Sequence, residues 1–175
     1  MSKLATKTIQ FKVYRENDKK KMVYMANATS YKRPTFEMLS DEVSGAGIMG
    51  EIDMPSLGAL GSLEGELVFN KPHEGVLGRF APKAHKLEIR WATNRFDTST
   101  GASSIQANKD IITMIPKALD LGEIATNETN ESTLTFEIIS IEHFIDGKSK
   151  LKIDKLNNVF KINGTDYTEK LKAAL

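Results

Sequence analysis

The sequence predicts a mainly β (α+β) fold: an antiparallel β-sandwich or barrel of about seven strands in two packed sheets, with one or two short helices. Three observations predict it. Most apolar stretches alternate with a period of two. Polar or glycine-containing turns separate those stretches. Helix signals are confined to two short segments. All 175 residues read as one domain, residues 1–175, long enough to bury a core.

Residues 8–15, TIQFKVYR, place Ile9, Phe11 and Val13 on one side. RENDKKK (residues 15–21) is a polar, basic turn into KMVYMA, a second strand, and the pair makes a hairpin. TFEMLSDEV, from Thr35, is extended and sets Glu37 and Asp41 two pleats apart. SLEGELVFN opposes Leu63, Leu67 and Phe69 to Glu64 and Glu66. PHEGVLGRFAP has Pro72 near a helix start, apolar Val76, Leu77 and Phe80, and Pro82 at its stop; Gly75 and Gly78 keep it short. AHKLEIRWAT opposes Leu87, Ile89 and Trp91 to Lys86, Glu88 and Arg90. FDTSTGASS (residues 96–104) is a long hairpin tip leading into a further long strand, SIQANKDIITMI. TLTFEIISIEHFI starts with Leu134, Phe136 and Ile138 on one face, then changes phase to Ile139, Ile141 and His143. A β-bulge, or burial on both faces, accounts for such a slip. The terminal TDYTEKLKAAL offers Asp166 as an N-cap with Glu169 three residues on, and Leu171, Ala174 and Leu175 as an apolar stripe.

There is no cysteine, so neither disulfides nor thiolate metal sites hold the fold. The first residues, MSKLATKTIQFKV, lack the apolar run of a signal peptide, and no segment approaches the ~18 apolar residues of a membrane span. The expectation is a soluble chain made in the cytoplasm. Net charge is +1, but charge comes in blocks. Residues 1–33 carry nine Lys/Arg against two acids, and residues 34–70 carry seven acids and no Lys or Arg. Residues 71–95 are basic again, and residues 120–142 hold six acids and no base. Blocks become faces when the chain folds.

SGAGIMGEIDM contains Gly45, Gly47 and Gly50, which spell the dinucleotide-binding fingerprint. That motif needs a helix after it, and Pro55, Gly58 and Gly61 break any helix of useful length. The glycines fit instead an irregular stretch over residues 44–61, where positive φ or close chain approach is required. His73, His85 and His143 are scattered, with no metal-ligand spacing. Glu64 and Glu66 read as a solvated strand face rather than an acid/base pair. No nucleophile elbow or phosphate loop is present. The expectation is no enzyme, no cofactor and no metal. A β-sandwich module binding a ligand such as carbohydrate is the alternative, but Trp91, the single tryptophan, lies on the apolar side of its strand.

Taken in chain order, several segments carry a resemblance. Arg33-Pro34 leads into SGAGIMG, then the strand SLEGELVFN and the short helical VLGRFA. Later come an Asp146-Gly147 turn, a short strand reaching Ile153-Asp154, Asn157, Val159, Ile162-Asn163-Gly164, Asp166 and a terminal helix. From about Ser30 to Leu175 this series resembles the major tail tube protein of contractile-tailed bacteriophages and R-type bacteriocins, with type VI secretion tubes similar in architecture. The resemblance implies a sandwich or barrel with a flanking helix, six copies closing into a ring, and rings stacking into a tube. It implies as partners the tail sheath, baseplate and tail terminator proteins, with tape measure protein and DNA in the channel of a phage. It implies assembly in the host bacterial cytoplasm and residence in a virion tail or phage-tail-like particle. On that footing the acid blocks become candidates for the channel wall: Glu37, Asp41, Glu64, Glu66 and Glu137. The tips RENDKKK and FDTSTGASS become candidates for contact with the next ring or the sheath.

Overall fold

The structure, a computed structural model, describes residues 3–174. Leu175, the end of the expected C-terminal stripe, lies outside them. Among the described residues the strands are Lys3–Glu16 (β1), Met22–Met25 (β2), Ala28–Lys32 (β3), Met38–Val43 (β4), Ile52–Leu60 (β5), Glu64–Phe69 (β6), His85–Asp97 (β7), Ser103–Asp120 (β8), Ser132–Ile145 (β9), Lys148–Asp154 (β10), Val159–Ile162 (β11) and Thr165–Asp166 (β12). The helices are Glu74–Leu77 (α1), followed by a 3-10 turn, and Glu169–Ala174 (α2). Every strand pair is antiparallel.

The expected mainly β class holds, with more strands and a different layering than two separate sheets. Ten strands form one sheet whose main path runs β12-β11-β10-β9-β8-β7-β1-β2. Among the described residues its ends do not pair, so the sheet is not a closed barrel. The layering comes from a branch at β9. Its first half pairs with β6 and its second half with β10, both on the edge away from β8. The branch point is a bulge at Ile139: Thr113 faces Ser140 and Met114 faces Ile138. This is where the hydrophobic phase of β9 slips, so of the two explanations open in the sequence the bulge applies. The Ile139 carbonyl freed from the ladder accepts the Lys155 amide at 3.0 Å.

The β3–β6 arm then folds over the β7–β8–β9 layer and encloses the core. Val13, Leu67, Phe69, Leu87, Ile89, Ile112, Met114, Leu134, Phe136, Ile138 and Ile141 are all essentially inaccessible. Each such burial contributes roughly 1.5–3 kcal/mol, against about 0–1 kcal/mol for an exposed ion pair. The core, not the surface charge pattern, holds the fold. Val76 of α1 closes one end. His73 caps that helix, its Nδ1 accepting the Gly75 amide while Nε2 lies 3.1 Å from the Ala26 carbonyl.

Three sequence expectations are corrected. Residues 52–60 are the strand β5, paired with β4, so only residues 44–51 of the glycine-rich stretch are irregular. Pro55 and Gly58 are tolerated because, among the described residues, β4 and β5 pair only with each other. Positive φ values of 95° at Gly47 and 99° at Gly50 make the hairpin tip, and a strand follows where a dinucleotide site needs a helix. Second, α2 begins at Glu169, one residue after Thr168, so Asp166 is not its N-cap. It ends β12, where its carboxylate accepts the Thr168 amide at 3.0 Å. Third, β8 runs on to Asp120 instead of stopping at Ile115. Pro116 fits because β7 pairing ends at Met114, and a register shift against β9 lies beside it.

Candidate functional site

The five candidate acids fall into two groups. Glu64, Glu66 and Glu137 lie on the outer face of the β6–β9 pair: Glu64 is directly opposite Glu137, and Glu66 is opposite Thr135. Alternation along β6 sends Leu67 and Phe69 inward and leaves these carboxylates outside. Glu37 and Asp41 are exposed on the separate β4–β5 hairpin, Glu37 just before β4. The fold brings three of the acids together and keeps two apart.

The face is not purely negative. Lys117 of β8 donates to Glu64 at 2.5 Å. Lys32 of β3 stands opposite Glu66 in the ladder. Glu137 is a clamp: it accepts the Ser62 hydroxyl at 2.5 Å, the Leu63 amide at 2.9 Å and Lys155 Nζ at 3.1 Å, and Lys155 also donates to the Gly61 carbonyl at 2.7 Å. These bonds tie the segment before β6 to the branch in β9. The sequence carries no local signal of these cations, because each reaches its acid from a distant segment.

Burial pushes the Glu137 carboxyl up, but the hydrogen bonds from Ser62, Leu63 and Lys155 outweigh it and hold the group below its ordinary value. A depressed folded pKa means stability that is complete above the unfolded value of about 4.5 and lost as pH falls through the folded one. Glu137→Gln is expected to cost about 1 kcal/mol at neutral pH. It should also flatten the fall of the urea midpoint below about pH 4.5. A variant whose acid profile parallels the parent's contradicts the clamp.

A second constellation lies inside. Asp110 of β8 has no exposed surface and meets Arg33, just past β3, through two bonds of 3.0 and 3.3 Å. His143 Nδ1 lies 2.6 Å from Asp110 Oδ1. Trp91 stacks on His143 with centroids 5.6 Å apart, and the Arg33 guanidinium sits 5.1 Å over the Trp91 ring. Tyr31 packs beside this group, and burial followed by the Asp110 charge pushes its phenol far up. An aspartate–histidine contact suggests general base chemistry. No serine, threonine or lysine hydrogen-bonds His143 among the described residues, and the pair faces the guanidinium that latches β3 onto β7 and β8. Its geometry is that of an inter-layer latch. Among the described residues no three His, Asp or Glu side chains are grouped to hold a metal ion.

The outer surface is unusually apolar in two places. On the β4–β5 hairpin, Met38, Leu39, Val43, Met49, Ile52 and Met54 are all exposed, Met49 completely. At the far end of the β1–β7–β8 ribbon, Leu4, Ile9, Phe96 and Ile105 are exposed. The outer edge of β1 pairs with β2 only from Val13 onward, so residues 3–12 present an open strand edge among the described residues. The two polar tips are well-formed turns: Asn17 Oδ1 accepts the amides of Lys19 and Lys21, and Asp97 Oδ1 those of Ser99 and Thr100.

A family model described as phage tail tube protein FII matches residues 6–175. The match takes in the β1–β2 hairpin, ahead of the point near Ser30 where the sequence resemblance begins. A chain in the cryo-EM structure of the anti-feeding prophage (AFP) baseplate, 6-fold symmetrised, is similar in fold. Its TM-score is 0.52 at 11% identity, over 82% of this chain and 97% of that one. No curated protein matches the sequence.

Proposed function

The chain belongs to the phage tail tube protein FII family, and from that premise we propose that six copies close into a ring and that rings stack into the inner tube of a contractile tail. The role is structural, in a virion or a phage-tail-like particle. The central channel passes DNA in a phage or ions in a bacteriocin. The sheath surrounds the tube, baseplate and terminator proteins bound its ends, and tape measure protein and DNA occupy the channel of a phage. Assembly takes place in the cytoplasm of the bacterial host.

The observation that carries the reading is the open β1 edge, residues 3–12, beside exposed Leu4 and Ile9. An unpaired edge with apolar neighbours is an aggregation hazard in a monomer, and a heterologous ring contact removes it. The six-fold symmetrised relative and the polar tips, which suit contacts to the next ring or sheath, support the same reading. Negative-stain microscopy of concentrated protein tests it: rings or tubes are expected, and persistent monomers refute it.

The channel wall is the finer part of the proposal. Glu64, Glu66 and Glu137, with Glu37 and Asp41 of the hairpin, repeat six times per ring and repel phosphate, opposite in sign to a DNA-binding surface. Lys117 and Lys155 temper that field. Glu64→Lys combined with Glu66→Lys should cost little stability, since the Glu64–Lys117 pair is half exposed on both sides. Tubes of this variant are expected to retain DNA and, in a phage, to eject it more slowly. Ejection at the parent rate argues against an electrostatic role.

A further inference from the structure

We propose that the β4–β5 hairpin of one copy docks in a cationic, aromatic groove on the outer face of a second copy. This rests on the tube reading above, adds a second contact between copies to that of the β1 edge, and moves Asp41 from the channel wall into the contact. The groove is about 550 Å³ and runs across β1, β7, β8 and the end of β9. Its floor is a cross-strand row: Lys12 is opposite Arg90, Arg90 opposite Lys109, and Lys109 opposite Phe144. Like charges placed directly opposite one another destabilise a sheet. Arg90 has Glu88 as a partner and lies over Tyr14, but Lys12 and Lys109 have no ion-pair partner among the described residues. Their ammonium groups rest over the rings of Tyr24 and Phe144.

The hairpin is the mirror of this surface. Glu42 is directly opposite Asp53 on one face, and neither has a cation partner among the described residues. The other face pairs Val43 with Ile52 and Asp41 with Met54, all exposed. Residues 37–53 contain five carboxylates and no Lys or Arg. An apolar, acidic ribbon thus matches an aromatic, basic groove, and each relieves the like-charge pairing of the other. The contact must join different copies. The base of the hairpin packs on the core side of the sheet, where Gly58, Ala59 and Leu60 line a cleft with Ile153, Phe160 and Thr168. Lys12, Arg90 and Lys109 alternate with core-side Val13, Ile89 and Asp110 and so face the opposite way. A nucleic acid would also suit the cations, but the apolar lining by Phe144, Ile105 and Ala107 favours the hairpin.

Charge reversal tests the pairing. Lys12→Glu with Lys109→Glu is expected to raise the protein concentration needed for tube formation, read by sedimentation, by at least about tenfold. Glu42→Lys with Asp53→Lys should do the same, and an equal mixture or the combined fourfold variant should restore assembly. The chain has no cysteine, so a second readout is clean. Met49→Cys and Ile105→Cys proteins, mixed and oxidised, should give a disulfide-linked heterodimer. Parent-like assembly by both reversals, or no heterodimer in assembled tubes, overturns the docking while leaving the tube reading intact. A parent protein that never forms rings overturns the tube reading itself, and the docking with it. Loss of binding to a single-stranded oligonucleotide in the Lys12/Lys109 reversal, with assembly unchanged, assigns the groove to nucleic acid and overturns it as well.

Discussion

Replacing Phe136 with alanine is expected to remove about 4 kcal/mol of stability, a large share of the roughly 5–15 kcal/mol typical of a folded domain. Phe136 is fully buried and pairs across the β6–β9 ladder with Gly65. A Cβ on Gly65 would stand 2.5 Å from the Phe136 ring and 3.2 Å from Ile138. The ring therefore occupies the space that a side chain at 65 would need. Two results follow. Gly65→Ala alone should cost about 2 kcal/mol from overpacking. Combining it with Phe136→Leu should cost clearly less than the sum of the two single changes, since the smaller side chain makes room for the new methyl. Urea midpoints of the three variants measure this, and strict additivity rules out the proposed fit.

Arg33→Ala is expected to cost about 3 kcal/mol, because it leaves the Asp110 carboxylate buried without its guanidinium. Arg33 is itself half exposed while Asp110 is fully covered, so the asymmetry lies in what is left behind. Arg33→Lys keeps the charge but loses the two-pronged geometry, and about 1 kcal/mol is expected. Replacing the pair together, Arg33→Met with Asp110→Leu, should recover most of the loss, since no charge remains to be desolvated. Trp91 is the only tryptophan and lies beneath Arg33, so its fluorescence reports both unfolding and the state of the latch. If Arg33→Ala matches the parent, the latch contributes nothing to holding β3 over the sheet.

Local chemistry makes parts of this fold legible in the amino-acid order alone. The bulge at Ile139 announces itself because Leu134, Phe136 and Ile138 keep one phase and Ile141 the other. Asp146-Gly147 marks the β9–β10 turn, where both residues take positive φ. The branch that the bulge creates is different in kind. Nothing near Ser132 states that β6 will arrive on one half of the strand and β10 on the other, since those partners are distant along the chain. The same distance hides Lys117 from Glu64 and Lys155 from Glu137. Strand β5 is obscured for another reason. Pro55 and Gly58 read as breakers, and only a two-stranded ribbon outside the main sheet accommodates them. Glu88, expected on the polar side of β7, does lie there, but it is buried and paired with Arg90.

The long pairing of β8, with β7 along its first part and, across two register shifts, with β9 along most of its length, has a mechanical consequence. Antiparallel hydrogen bonds lie perpendicular to their strands. Tension along β8 therefore loads the whole ladder in shear, with many bonds sharing the force, and the ribbon behaves as a stiff beam. The β4–β5 hairpin is held at its base by the Gly61 amide on the Glu37 carbonyl and by the packing of Leu60, while Met49 at its tip is fully exposed. A force on that tip opens its ladder one bond at a time, like a zipper. The subunit thus joins a rigid spar to a compliant finger, so strain imposed from outside is absorbed at the finger before it reaches the spar.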